Sequence, residues 1–155
     1  FLITARPDLL PIDLKRQGRA EEHIPLFYPE TAEEYDEIYK VMLKKLGLKT
    51  PVQSITEVAT EDQYLGLSGS DLEAVLVRAV LEAEAAESSE VKAEHLQKAF
   101  SDFIPPANTR EREMQILCAI LESTSRELLP ERFRELDRGV VQARINEIKR
   151  ELRLI

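Results

Sequence analysis

Apolar residues recur at intervals of three and four along most of this chain, and that spacing is typical of amphipathic α-helices. The first clear helix begins after Thr31, an N-cap candidate that forms a capping box with Glu34, and it ends at Gly47. A second helix starts near residue 70, where either Ser68 or Ser70 is the cap. These local signals predict where both helices begin.

Further helices are expected around residues 55–59, over residues 91–103 and in the C-terminal third of the chain. Asn108 or Thr109 caps the first of the C-terminal helices. The last helix carries apolar residues in a 4-3-4-3 pattern, at Val141, Ile145, Ile148, Leu152 and Ile155. This seam either packs on the preceding helix as an antiparallel hairpin or pairs with another subunit.

The N-terminal residues follow a different pattern. Residues 1–4 are β-like, and residues 23–28 form a second short apolar run. Pro25 restricts that run to an edge strand or an extended linker, because proline cannot donate a ladder hydrogen bond. With five glycines and many Leu, Glu and Ala residues, the chain is predicted to be all-α. We expect about four helices and a C-terminal helical hairpin, preceded by a short extended segment.

The net charge of −8 is concentrated in the middle of the chain, where residues 30–104 hold seven basic and sixteen acidic residues, a balance of −9. A nucleic-acid-binding domain usually presents a basic face, so this distribution disfavours nucleic acid as a partner. No run of 18 apolar residues occurs in the sequence. We therefore expect no membrane contact and a cytoplasmic location.

Few residues indicate metal or redox chemistry. Cys118, the single cysteine, falls inside an apolar helical stripe and is expected to be a buried small hydrophobe. His23 and His95 have no second His or Cys at ligand spacing. We therefore predict no metal site, and we expect His23 on a strand surface and His95 on a helix surface.

Two arginines three residues apart, Arg16 and Arg19, flank Gly18 in a polar segment. Guanidinium groups stay charged at any working pH and match the geometry of phosphate oxygens. A turn that holds an anion is therefore one interpretation of this pair. The other interpretation is a solvated turn with two charges.

Three motifs in order resemble the AAA family of ATPases. Residues 3–10 (ITARPDLL) and 14–21 (LKRQGRAE) are similar to the stretch after the family's fourth core strand, A-T-N-R-P-D-x-L-D-x-A-L-x-R-x-G-R-F-D. Residues 66–73 (GLSGSDLE) look like its lid motif, G-x-S-G-A-D-L, and residues 91–100 look like the closing lid helix. The resemblance covers residues 1 to about 105.

The resemblance implies a division of the chain into three parts. Residues 1–29 would be a remnant of the α/β ATPase core, with the end of one strand, the arginine turn and the last core strand at residues 23–29. Residues 30–105 would be the helical lid bundle, and residues 106–155 a helical C-terminal extension. The chain would then be the C-terminal portion of an ATPase that remodels a protein substrate.

The resemblance also implies roles for single residues. Arg16 and Arg19 fall on the arginine-finger positions, which act in trans on the γ-phosphate bound by a neighbouring subunit of a homo-oligomeric ring. Gly69 and Ser70 fall where the lid helix meets the nucleotide, although an ordinary helix cap explains them equally well. Ile38 is a candidate for the adenine pocket. ATP and Mg²⁺ are the cofactors implied for the parent protein.

The sequence departs from the family at two points. Ala5 stands where the family usually has the Asn that positions the attacking water. No G-x-x-x-x-G-K-[ST] motif occurs in the 155 residues, so the fragment is not expected to bind or hydrolyse ATP by itself. The alternative is a non-enzymatic helical interaction or oligomerisation module that docks a partner through the seam of residues 141–155.

Overall fold

The computed structural model describes residues 2–16, 18–107 and 109–153. These residues form seven α-helices and four 3-10 helices and contain no β-strand, so the all-α prediction is confirmed. The chain divides into two compact units. The first, called here the middle unit, is Tyr28–Pro106. The second, the terminal unit, combines Phe1–Phe27 with Ala107–Ile155.

Local capping signals set the helix boundaries of the middle unit. Its α-helices are α1 (Ala32–Leu46), α2 (Glu61–Tyr64), α3 (Gly69–Ala85) and α4 (Ala93–Asp102). The capping box predicted at Thr31 and Glu34 begins α1, and Gly47 ends it with a φ of +60°. Ser68, and not Ser70, caps α3. The short helix expected around residues 55–59 is a 3-10 helix, Ile55–Glu57.

The core of the middle unit lies between α1, α3 and α4 and includes side chains from the segment that joins α1 to α3. Tyr35 and Tyr39 are the aromatic members from α1, and both are buried. The aliphatic members from α3 are Leu72, Val75, Leu76, Ala79 and Ala83. Burying a large apolar side chain stabilises a fold by about 1.5–3 kcal/mol, so this core accounts for a compact middle unit.

The terminal unit is built on an antiparallel pair of helices. Its α-helices are α5 (Thr109–Glu122), α6 (Glu131–Arg134) and α7 (Arg138–Glu151). Arg110 at the start of α5 pairs with Glu151 at the end of α7. The seam on α7 packs against α5 around Met114, Cys118, Val141, Ile145 and Ile148. The hairpin alternative for the seam is therefore confirmed, although Ile155 lies outside the described residues, as does the cap candidate Asn108.

The N-terminal residues are part of the terminal unit, together with the C-terminal helices, from which they are separated by the whole middle unit in sequence. They form two 3-10 helices, Pro7–Leu9 and Ile12–Leu14, and the first of these contacts α5. The described residues at 2–4 and 23–29 are irregular, so no strand forms there, and the extended linker is the alternative left for residues 23–28. A strand needs a neighbouring strand to bond its backbone, and the described part of the chain contains none.

Candidate functional site

The arginine pair lies on an exposed turn of the terminal unit. Arg16 and Arg19 are both exposed, and the Arg19 N–H donates to the Arg16 carbonyl at 3.2 Å. Gly18 adopts a φ of +87°, a conformation that side chains with a Cβ rarely take. Gln17 lies outside the described residues. The turn therefore presents two guanidinium groups to solvent.

Asp13 holds both arginines weakly. Its carboxylate lies 3.3 Å from Arg16 Nε, with both side chains more than 60% exposed, and its carbonyl accepts from Arg19 Nη1 at 3.4 Å. Exposed ion pairs of this kind contribute about 0–1 kcal/mol, because water and salt compete for the charges. An incoming phosphate, with more charge and more acceptor oxygens, could replace Asp13 at little cost.

The segment around the turn is fixed to the helical hairpin more firmly than the arginines are. Lys15 Nζ lies 2.5 Å from a carboxylate oxygen of Glu122, the last residue of α5. On the C-terminal side of the turn, the Ala20 N–H donates a hydrogen bond to the Leu14 carbonyl at 3.3 Å. The backbone on both sides of the turn is thus held in place, while the side chains of Arg16 and Arg19 remain exposed to solvent.

Asp8 is the centre of a second, largely buried contact in the terminal unit. Arg6 donates to it through two nitrogens at 2.9 Å each, and Lys149 Nζ of α7 lies 3.1 Å from one of its oxygens. The hydrogen bonds from Arg6, reinforced by Lys149, lower the pKa of Asp8 well below its usual range. Arg6 and Asp8 belong to the family-like motif, and the structure uses them to join the N-terminal segment to α7.

Cys118 is buried, as its apolar stripe predicts. Burial, with a smaller contribution from the nearby Asp8 carboxylate, raises the pKa of the thiol to about 11. Because the thiolate is the reactive form of cysteine, this side chain is chemically inert near neutral pH.

The two histidines differ from the surface positions expected of them. His23 does not lie on a strand: its ring is 23% exposed, and both ring nitrogens face backbone carbonyls. His95 on α4 is buried at 7% exposure, and its Nδ1 accepts from the Lys92 N–H at 3.1 Å. The sequence predictions failed because both rings are fixed by contacts with backbone atoms, which carry no sequence signal.

The lid-like motif in the middle unit is shaped by Tyr35. The N–H of Gly66 donates to Tyr35 Oη at 2.8 Å, and Tyr35 Oη donates to the Leu67 carbonyl at 3.2 Å. Gly66 has a φ of +79°, which turns the chain into α3. A buried tyrosine on α1 therefore sets the path of the backbone that leads to Gly69.

Gly69 and Ser70 are the first two residues of α3, just after a closed capping box. Ser68 Oγ accepts from the Asp71 N–H at 3.1 Å, and Asp71 Oδ2 accepts from the Ser68 N–H at 2.8 Å. A carboxylate thus already lies at this helix N-terminus. It would repel a phosphate, but it can accept hydrogen bonds from sugar hydroxyls.

Ile38 lies on α1 one turn before Met42. A Cβ added to Gly69 would lie 3.6 Å from Met42 Cε, and residues four apart share one face of a helix. Ile38 is partly buried and packs against the core of the middle unit. The candidates Ile38, Gly69 and Ser70 therefore belong to the middle unit, whereas Arg16 and Arg19 belong to the terminal unit.

We predict that Gly69→Ala leaves the free energy of unfolding within about 0.5 kcal/mol of the parent chain, since Gly69 has no positive φ and 3.6 Å from Met42 Cε is an ordinary contact. Gly66→Ala is the matched control. Its positive φ is expected to cost about 1–2 kcal/mol. Urea unfolding of both variants measures the difference, and equal losses would contradict this placement of Gly69.

Neither a membrane-spanning helix nor a metal-binding cluster is found among the described residues. None of the helices in residues 2–16, 18–107 and 109–153 is long and apolar enough to cross a membrane. Within the same residues, no three His, Cys, Asp or Glu side chains are grouped so that they could hold a metal ion. Comparisons of the chain with models of protein families, with curated proteins and with solved structures found no match.

Proposed function

We propose that this chain is the C-terminal portion of a cytoplasmic AAA-type ATPase, in which Arg16 and Arg19 act as arginine fingers. The parent would couple ATP binding and hydrolysis in a homo-oligomeric ring to the remodelling of a protein substrate. The observation that carries the proposal is the exposed arginine pair on an anchored turn, with Asp13 as a weak partner. An exposed and weakly held arginine pair is suited to reach a phosphate bound by a neighbouring subunit.

Exposed apolar side chains in the N-terminal segment support the idea that this segment belongs to a larger core. Ile3 is 90%, Ile12 74% and Leu26 87% exposed. Several large apolar residues exposed within a short segment indicate a surface that another part of a structure covers. In the proposal, that surface is covered by the remainder of the ATPase core.

The start of α3 would approach the sugar and base of the nucleotide rather than its phosphates. Asp71 at the helix N-terminus suits hydroxyl donors, and Ile38 and Met42 offer apolar surface on the adjacent helix. The phosphates and Mg²⁺ would be held by a P-loop outside these 155 residues. The 155 residues contain no G-x-x-x-x-G-K-[ST] motif and therefore no P-loop lysine.

The first test is the reading frame that encodes this chain. We expect a G-x-x-x-x-G-K-[ST] motif, followed by an apolar strand ending in acidic residues, upstream of Phe1. A complete frame without that motif would overturn the proposal.

The second test is the ATPase rate of the full-length protein. Arg16→Ala and Arg19→Ala are each expected to lower kcat about 10³-fold, because an arginine supplied in trans stabilises charge in the transition state. ATP affinity measured by titration should change little. Arg126→Ala, at an exposed arginine in the same unit, is the matched control and is expected to retain the parent rate. Equal rates for all three variants would exclude the finger role.

The alternative, a helical interaction module that uses the seam of residues 141–155, receives less support from the structure. Val141, Ile145 and Ile148 are at most 3% exposed and pack against α5 within the same chain. These side chains are therefore occupied in the monomer and do not present a face for a second molecule.

A further inference from the structure

His23 makes an unusual set of hydrogen bonds in the terminal unit. Its Nδ1 lies 2.8 Å from the carbonyl oxygen of Glu122, and its Nε2 lies 2.9 Å from the carbonyl oxygen of Ala20. Its backbone N–H donates to Thr124 Oγ1 at 3.1 Å. The imidazole thus bridges the segment after the arginine turn and the end of α5.

This geometry requires a particular protonation state. Carbonyl oxygens only accept hydrogen bonds, so both ring nitrogens of His23 must donate. A neutral imidazole has one N–H, and only the imidazolium has two. In the neutral ring, one nitrogen would place its lone pair against the lone pairs of a carbonyl oxygen. The bridge is therefore complete only when the ring carries its second proton.

Charged groups from several elements surround the ring, and Arg138 of α7 donates to the Leu121 carbonyl at the same helix end. Glu122 ends α5, where the last carbonyls lack partners within the helix and the helix dipole attracts a cation. The Glu122 carboxylate lies 3.9 Å from Nδ1 and is shared with Lys15 Nζ. On the segment of His23 itself, Glu21 accepts from the Gly18 N–H, and Glu22 is exposed.

We propose that His23 is a proton-dependent positioning residue, which in its imidazolium form fastens the arginine turn to the C-terminal end of α5. Ala20, whose carbonyl the ring binds, directly follows Arg19, and its own N–H donates to the Leu14 carbonyl. Loss of the second proton releases one of the two carbonyls, so the turn is held at low pH and loosened as the pH rises. Imidazole gains and loses this proton between about pH 5 and pH 8.

The two hydrogen bonds from His23 to the carbonyls of Ala20 and Glu122 are called here the latch. Any influence of the latch on how the arginines bind a phosphate of a neighbouring subunit rests on the proposed function, but the latch itself does not. Its test therefore uses the 155-residue chain without nucleotide. The latch can fail while the finger proposal stands, and the reverse also holds.

The experiment combines two NMR measurements on the ¹⁵N-labelled chain at pH 5.5 and pH 8.0. Ring ¹⁵N shifts are expected to show two protonated nitrogens for His23 at pH 5.5. The hydrogen-exchange protection factor of the Ala20 amide, corrected for intrinsic exchange, is expected to fall about tenfold by pH 8.0, the size of effect associated with one charged hydrogen bond.

The two histidines of the chain provide a matched pair of variants. His23→Gln is expected to remove the pH dependence of Ala20 protection. His95→Gln should preserve it, because His95 lies in the middle unit and its Nδ1 is an acceptor. A single protonated ring nitrogen on His23 at pH 5.5, or Ala20 protection that is the same at both pH values in the unmutated chain, overturns the proposal. The second of these readouts needs no variant and so does not depend on whether His23→Gln folds.

Discussion

Replacing Ile148 by Asp is expected to unfold the terminal unit. Ile148 is fully buried between α5 and α7, in contact with the apolar cluster around Met114 and Cys118. A carboxylate at this position would lose its hydration without gaining a partner, at a cost of at least about 4 kcal/mol. Amide NMR spectra are expected to show poorly dispersed proton shifts for α5 and α7, as in an unfolded chain. The shifts of the middle unit should remain dispersed, because that unit has its own core.

Val140→Asp is the matched control on the same helix. Val140 is 67% exposed, so its replacement is expected to change the free energy of unfolding by no more than about 0.5 kcal/mol. Light scattering adds a second readout. A folded Ile148→Asp chain that differs from the parent only by dissociating from a dimer would show that the seam pairs subunits, contrary to the hairpin described above.

Replacing Asp8 by Asn is expected to produce the second large effect. The Asp8 side chain is 13% exposed and forms ion pairs with Arg6 and Lys149. Asparagine keeps the shape but not the charge, and it leaves two cations facing each other. Removing one partner from a largely buried ionic contact costs about 3 kcal/mol. Urea unfolding of the terminal unit, followed by signals from α7, measures this loss.

Asp13→Asn is the control for Asp8→Asn, since each aspartate is the second residue of a short 3-10 helix. Asp13 is 64% exposed and pairs with the similarly exposed Arg16, so its loss is expected to cost less than about 1 kcal/mol. Equal losses for the two variants would mean that the contact of Asp8 with Lys149 contributes nothing beyond a surface pair.

The same contact predicts how stability changes with pH. The pKa of Asp8 is lowered in the folded chain, mainly by Arg6, so its contribution is complete above the ordinary carboxyl pKa of about 4. That contribution is lost as the pH falls below about 4 towards the lowered value. The difference in unfolding free energy between the parent and Asp8→Asn is therefore expected to shrink from pH 5 to pH 2.

The features that the sequence predicted correctly depend on residues close together in the chain. The capping box of Thr31 and Glu34 spans four residues, and the seam on α7 repeats every three or four. Such patterns are determined by the geometry of one helix, so they can be recognised without knowledge of the remaining fold.

The features that the sequence did not predict depend on contacts between distant residues. Nothing local indicates that Asp8 meets Lys149 or that His23 meets the end of α5. The choice between an edge strand and an extended linker for residues 23–28 is of the same kind, because an apolar run forms a strand only if another strand lies beside it. The arginine turn was recognised by resemblance, and its role in ATP hydrolysis remains a prediction.

The division of the terminal unit between the two ends of the chain has a consequence for how the protein is made. Ribosomes release the N-terminus first, so Asp8 emerges roughly 140 residues before Lys149, its partner on α7. During that interval the middle unit can complete its own core, whereas the contact of Asp8 with Lys149 cannot form until α7 has emerged. We therefore expect the N-terminal segment, with its exposed apolar side chains, to be the part of a nascent chain that most needs protection by a chaperone.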